Sequence, residues 1–141
     1  HVPTQNHFFA QLGLPGLFHN YRGIVLGVSA GSMNAAHIVY AAPEEPGEAA
    51  DPHYSRWMNG LGLTETRILP HYQFIRDHLL DGQKVEDIAL ADSKKRHFLA
   101  LPDGSYILCA DGSEALYGKG WYFADGMMEE INDDEDVLPL R

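Results

Sequence analysis

Residues Gly23–Gly31 read GIVLGVSAG, and this stretch decides how the rest of the chain is interpreted. Its apolar part, Gly23–Val28, predicts a β-strand, and the residues after Ser29 predict a helix that ends near Ala42. A serine between two glycines at a strand-to-helix turn is the G-x-S-x-G pattern of a nucleophile elbow, in which a strained backbone exposes the hydroxyl. The pattern predicts that Ser29 is a nucleophile; the alternative is a serine that only caps the helix.

The residues around the serine have predicted roles of their own. Gly27 and Gly31 are expected to let the chain pass through the turn without a Cβ clash. The backbone N–H of Ala30 is expected to be free at the positive end of the helix, where it can stabilise an oxyanion. The turn is therefore predicted to supply both a nucleophile and an oxyanion donor.

The composition indicates a folded chain with an excess of acidic residues. With 141 residues, 45% of them hydrophobic, the chain fits one domain with a modest core. Its formal charge of −10 argues against binding a nucleic-acid backbone. No apolar run reaches the length of about eighteen residues that a membrane span needs. We therefore expect neither nucleic acid nor membrane among its partners.

Cys109 is the only cysteine of the chain. A single cysteine excludes an internal disulfide and favours a reducing compartment, so the sequence predicts a cytoplasmic protein. Because Cys109 lies in the apolar run Tyr106–Ala110, its thiol is predicted to be buried and inert.

The last third of the chain has the pattern of antiparallel hairpins, with short β-rich runs separated by Asp-Gly and Gly-rich turns. The predicted strands cover residues 97–101, 106–110, 114–117, 121–124 and 127–131. An elbow strand normally lies in a parallel sheet, paired on both sides. Since only one such strand precedes the middle of this chain, we predict that residues 1–131 are the C-terminal part of an α/β domain whose N-terminal half is missing. The acidic residues 132–141 are predicted to form a solvated, frayed tail.

A serine hydroxyl needs a base within hydrogen-bond reach and a third group that orients the base. Among the eight histidines, His71 is the best placed, because it follows the predicted strand Thr66–Leu69 and the fixed φ of Pro70. Spacing does not choose the orienting acid. The candidates are Asp103, Asp111 and Asp125 in predicted hairpin turns, and Glu44 and Glu45 after the elbow helix.

Three segments, taken in order, resemble the peptidase S51 family, the serine peptidases that include α-aspartyl dipeptidase (peptidase E) and, more distantly, cyanophycinase. The segments are Gly27–Ser32 (GVSAGS), Leu69–Tyr72 (LPHY) and Ala100–Ser105 (ALPDGS). The resemblance implies a Rossmann-like sheet of the class I glutamine amidotransferase type, of which this chain would be the later part, with antiparallel hairpins at its end.

The resemblance also implies a role for each matching residue. Ser29 would be the nucleophile, His71 the general base and Asp103 the carboxylate that orients it, at a position where family members often have Glu. Ala30 would give one oxyanion-hole N–H, and the second would come from a Gly-rich turn upstream of His1. The implied reaction is hydrolysis of short peptides through an acyl-enzyme.

The implied substrates include dipeptides with an N-terminal Asp, for which Arg76 and Arg56 are the candidate cations. We expect no cofactor, and the pattern of histidines and acids indicates no metal site. A homodimer is left open. Two other functions also stay open: an α/β-hydrolase-type esterase, which would need an order such as Ser29, Asp77 and His97, and an inactive fragment that requires the missing half.

Overall fold

The computed structural model describes residues 1–133 and 136–140. Its helices are α1 (Val2–Gln11), α2 (Leu14–Phe18), α3 (Ala30–Asn34), α4 (Tyr72–Ile75) and α5 (Val85–Ser93). Its strands are β1 (Ile38–Tyr40), β2 (Trp57–Asn59), β3 (Ile68–Leu69), β4 (Leu79–Leu80), β5 (Gln83–Lys84), β6 (Phe98–Ala100), β7 (Tyr106–Ala110), β8 (Ser113–Tyr117), β9 (Gly120–Ala124), β10 (Met127–Asn132) and β11 (Val137–Pro139). No helix within these ranges is long and apolar enough to cross a bilayer.

The described strands form several small sheets, which corrects the predicted fold class. The orders are β10-β9-β6-β3, β11-β8-β7, β1-β2 and β4-β5. Among these strands, only β3 and β6 pair in parallel. The predicted Rossmann-like α/β sheet of the amidotransferase type is therefore wrong for this chain. Such a sheet needs a series of parallel strands joined by crossovers, and here a single crossover, from β3 to β6, is present in the described part.

The segment Gly23–Val28, predicted to be the elbow strand, is not a strand in the structure. Its apolar side chains face solvent: Ile24 is 94% exposed, Leu26 86% and Val28 72%. A strand exists through hydrogen bonds to a neighbour, and no described strand pairs with this segment. High β propensity is not sufficient without such a partner.

The helix after Ser29 is much shorter than predicted, since α3 ends at Asn34 rather than near Ala42. The buried Asn34 amide donates to the Ala30 carbonyl at 3.0 Å and competes with the backbone for helical acceptors. The β-branched residues that follow form β1 and pair antiparallel with β2. Cross-strand pairing, which is non-local, ends this helix.

Two hairpins lie where the Asp-Gly turns predict them. Asp111 and Gly112 connect β7 to β8, and Asp125 and Gly126 connect β9 to β10. All four residues have positive φ, between 51° and 79°, as a type I′ turn requires. The hairpins belong to different sheets, because β9 pairs with β6 while β8 pairs with β11.

Two further expectations differ from the structure. Cys109 is exposed rather than buried, because β7 is the edge strand of its sheet. Within the acidic tail, Val137–Pro139 forms β11 and pairs with β8, so this part is held by backbone hydrogen bonds. The predicted fraying of residues 134, 135 and 141 lies outside the described residues.

The main core is aromatic and lies against the β3–β6 pair. Phe98 stacks on Tyr40 at a centroid distance of 4.3 Å and on Phe123 at 5.1 Å, and all three are buried. Leu69 and Ala100, which end the two parallel strands, belong to the same cluster. The packing fixes the ends of β3 and β6, from which the candidate site is built.

Candidate active site

The parallel pairing of β3 with β6 brings two loops together. Leu69 is opposite Ala100 in the register, and the backbone N–H of Leu101 donates to the Leu69 carbonyl at 2.9 Å. The N–H of Tyr72 then donates to the Leu101 carbonyl at 3.0 Å, so the loops remain in contact beyond the strands. Because parallel strands point the same way, the residues that follow both ends meet at one edge of the sheet.

At this edge three of the predicted residues form a hydrogen-bonded chain. The Nδ1 atom of His71 lies 2.5 Å from Asp103 Oδ1, and its Nε2 atom lies 3.0 Å from Ser29 Oγ. An ionised carboxylate only accepts hydrogen bonds, so the proton of a neutral His71 ring belongs on Nδ1. Nε2 is then an acceptor, and the Ser29 hydroxyl donates to it.

Two of the three hydrogen-bonded residues, Ser29 and His71, have a strained backbone. Within the described residues, five side-chain-bearing residues have positive φ, and the three outside the site are aspartates that precede glycine in turns. The other two are Ser29, with φ 52° and ψ −124°, and His71, with φ 60°. Such conformations cost about 1–3 kcal/mol each and persist where the surrounding structure enforces them.

The turn around Ser29 requires glycine at position 27 but leaves room for a side chain at position 31. A Cβ on Gly27 would lie 2.8 Å from the Ser32 Cα, which is backbone and cannot move aside, so glycine is required there. A Cβ on Gly31 would meet nothing closer than 3.9 Å, so the clash expected at this position is not found. The Ser29 carbonyl accepts hydrogen bonds from the Ser32 hydroxyl at 2.6 Å and from the Met33 N–H at 3.2 Å, which stabilises the turn.

The N–H of Ala30 has no acceptor among the described residues and lies directly after the serine. It is therefore available to an oxyanion on an atom bonded to Ser29 Oγ. Because α3 has only five residues, this stabilisation comes from the local N–H group more than from a long helix dipole.

The relay formed by Ser29, His71 and Asp103 is open to solvent on one side. The side chain of His71 is 42% exposed and that of Asp103 is 54% exposed. The Asp103 loop is held by Gln73, whose Oε1 accepts the Asp103 N–H at 3.1 Å. Gln73 is not among the residues predicted from the sequence; its position two residues after His71, in α4, is the only sequence signal for it.

A cavity of about 190 Å³ adjoins Ser29 and His71. Its apolar walls come from α3, from the loop after β1 and from the β3–α5 region; they are Met33, Ala42, Pro43, Leu69, Pro70, Ile75 and Val85. Its polar lining includes Glu44 and His78. His78 is not among the site residues predicted from the sequence.

Glu44 lines the cavity, and 38% of its side chain is exposed. Burial raises the pKa of its carboxyl group, and the nearby Glu48 and Glu45 raise it further. The amino group of His1, 3.7 Å from Oε2, and the Val2 N–H act in the opposite direction. The structure places Glu44 in the cavity and not on His71, whose carboxylate partner is Asp103.

The two predicted cations are not in this cavity. Arg56 is 16% exposed, and its Nε lies 3.2 Å from Asp92 Oδ2. Arg76 is 54% exposed, with its Nε 3.5 Å from Asp77 Oδ2. The structure brings neither arginine to Ser29.

The remaining candidates also lie elsewhere. His97, which the esterase order requires, lines a separate cavity together with the β6 residues Phe98 and Leu99. Glu45 belongs to a group with His1 and the partly buried Glu48, whose oxygen and nitrogen atoms lie within 4.8 Å of one another. Glu48 already accepts hydrogen bonds from the N–H groups of Glu44 and Glu45 at 2.9 and 3.0 Å, so this group is explained by its internal bonds.

Comparisons of the chain with protein-family models, with curated proteins and with solved structures found no match. The resemblance to the S51 peptidases therefore stays a prediction. The assignment of a function depends on the geometry around Ser29.

Proposed function

We propose that this chain is a serine hydrolase of the peptidase type, which cleaves short peptides through an acyl-enzyme formed on Ser29. The observation that carries the proposal is the hydrogen-bonded chain from Ser29 Oγ through the His71 ring to Asp103, at 3.0 and 2.5 Å. The distances are within the reach needed for proton transfer between a nucleophile and a general base.

The proposed reaction follows from the protonation states of the three groups. His71 Nε2 takes the Ser29 proton while Oγ attacks the substrate carbonyl, and Asp103 stabilises the imidazolium that forms. The Ala30 N–H donates to the developing oxyanion. His71 then protonates the leaving amine, and a water molecule, activated in the same way, hydrolyses the acyl-enzyme.

The order of the residues also supports this proposal over the esterase alternative. The base His71 precedes the acid Asp103 in the chain, whereas an α/β-hydrolase has the acid before the histidine. The proposal includes small peptides as substrates, chemistry without a cofactor and, because Cys109 is the only cysteine, a cytoplasmic location.

The test is covalent labelling with a fluorophosphonate probe, followed by mass-spectrometric mapping of the modified peptide. We expect a single adduct on Ser29 that is lost in His71→Ala. His97→Ala is the matched control, because it removes a histidine from the neighbouring cavity, and it should label like the unchanged chain. A folded chain that is not labelled at Ser29, or labelling that requires His97 and not His71, would refute the proposal.

A further inference from the structure

We propose that the cavity beside Ser29 selects substrates whose acyl part carries an ammonium group on a compact apolar body, with Glu44 as the recognising side chain. The inference rests on the proposed function, because it assigns the acyl side of the substrate to this cavity. It replaces the aspartyl preference that the family resemblance implies.

The size and lining of the cavity define the apolar body. A cavity of about 150 Å³ lined by aliphatic and aromatic side chains accommodates benzene, so the space of about 190 Å³ beside Ser29 fits one side chain of similar size. Most of its lining residues are apolar, from Met33 on α3 to Val85 on α5. Apolar walls favour a group that loses little on leaving water.

The charge of the cavity defines which polar group the substrate should carry. Apart from the histidines, Glu44 is the one ionisable side chain that lines this cavity in the described part of the chain. Burial raises the pKa of the Glu44 carboxyl group, and a cation at contact distance favours its ionised form. The same carboxylate opposes a substrate acid, because two like charges in one cavity repel each other.

The arginines strengthen this argument. An aspartyl pocket needs a cation that is free to meet the substrate, but Arg56 is paired with Asp92 at 3.2 Å and Arg76 lies beside Asp77. Glu44 accepts a hydrogen bond from the Val2 N–H, and the amino group of His1 lies 3.7 Å from its Oε2, longer than a charge-assisted hydrogen bond. The carboxylate therefore keeps capacity to accept from a second ammonium group.

The ammonium group has two chemical sources: the α-amino group of a peptide with a free N-terminus, or the side chain of a lysine whose methylene stem is apolar. Small amides separate them when they compete with fluorophosphonate labelling of Ser29. Leucinamide carries the α-ammonium, N-acetyl-lysinamide the side-chain ammonium, N-acetyl-leucinamide neither, and N-acetyl-aspartamide a carboxylate instead. This assay needs no turnover.

We expect one or both ammonium-bearing amides to have an inhibition constant about tenfold or more below that of N-acetyl-leucinamide, the range of one charge-assisted hydrogen bond. Glu44→Gln should remove the difference, and Glu45→Gln, a neighbouring acid outside the cavity, should keep it. If Ser29 is labelled but the aspartamide competes best, or Glu44→Gln leaves the selectivity unchanged, the inference is wrong and the proposed function survives. If a folded chain is not labelled at Ser29, the proposed function fails and the inference fails with it.

Discussion

Replacing Asp103 by Asn tests whether its exposed carboxylate orients His71. The substitution keeps the shape of the side chain and removes its charge, so His71 loses the charge-assisted hydrogen bond from Nδ1 at 2.5 Å. Hydrogen bonds to charged groups contribute about 1.5–3 kcal/mol. Because Asp103 is 54% exposed and His71 42%, water screens the pair, and we expect the lower end of that range, about 1.5–2 kcal/mol.

At about 1.4 kcal/mol for each factor of ten, this energy corresponds to labelling of Ser29 that is about ten- to thirtyfold slower. The loss should stay far below the roughly 10⁴-fold effect of the same change in a buried relay. The assay is the second-order rate constant of fluorophosphonate labelling, with a thermal melt to verify folding.

Asp111→Asn is the matched control, because Asp111 also precedes a glycine in an exposed turn and Asn tolerates its positive φ of 51°. Its labelling rate should equal that of the unchanged chain. A rate for Asp103→Asn within twofold of the unchanged chain, or an equal loss in both variants, would refute the orienting role. A loss near 10⁴-fold would refute the argument from exposure.

Six further substitutions test the turn, the core and the exposed segment before Ser29. Gly27→Ala should abolish labelling, because the new Cβ would lie 2.8 Å from backbone, whereas Gly31→Ala, with 3.9 Å of space, should keep it; equal behaviour of the two variants would contradict the steric argument. Ser29→Gly should be more stable than Ser29→Ala by about 1–2 kcal/mol in urea denaturation, because only glycine relieves the strained φ and ψ; the opposite order would show that the turn is not strained. Phe123→Ala, at a fully buried position, should lower the free energy of unfolding by about 3–5 kcal/mol. Ile24→Ala, at a position 94% exposed, should change it by less than about 0.5 kcal/mol, and a large loss there would mean that the segment is buried in solution.

The residues of the candidate site depend on local sequence patterns, whereas the sheets do not. Ser29, His71 and Asp103 each lie in a short local pattern: a glycine-flanked turn, a residue after Pro70, and an Asp-Gly turn. The hairpins at Asp111 and Asp125 are local in the same sense and lie where the sequence places them, whereas the hairpin predicted at Asp103 is wrong, because β6 pairs with β3 and β9 and not with β7.

What the sequence does not predict depends on distant partners. Gly23–Val28 has the composition of a strand, but no described strand pairs with it. The helix after Ser29 ends early because β1 pairs with β2, which lies seventeen or more residues further along the chain. The two arginines were chosen for their charge, and in the case of Arg56 only the fold shows that Asp92, thirty-six residues further along the chain, lies beside it. In each case the secondary structure or the ion pairing depends on the presence or absence of a contact with residues far away in the sequence, which a local pattern does not show.

The most direct test of the relay is the protonation of the His71 ring, read from long-range ¹H–¹⁵N NMR spectra at a pH where the ring is neutral. The hydrogen bonds to Asp103 and Ser29 predict a proton on Nδ1, an unprotonated Nε2 that accepts from the Ser29 hydroxyl, and a change in both nitrogen shifts in Asp103→Asn. A ring protonated on Nε2, with shifts that Asp103→Asn does not alter, would contradict the account.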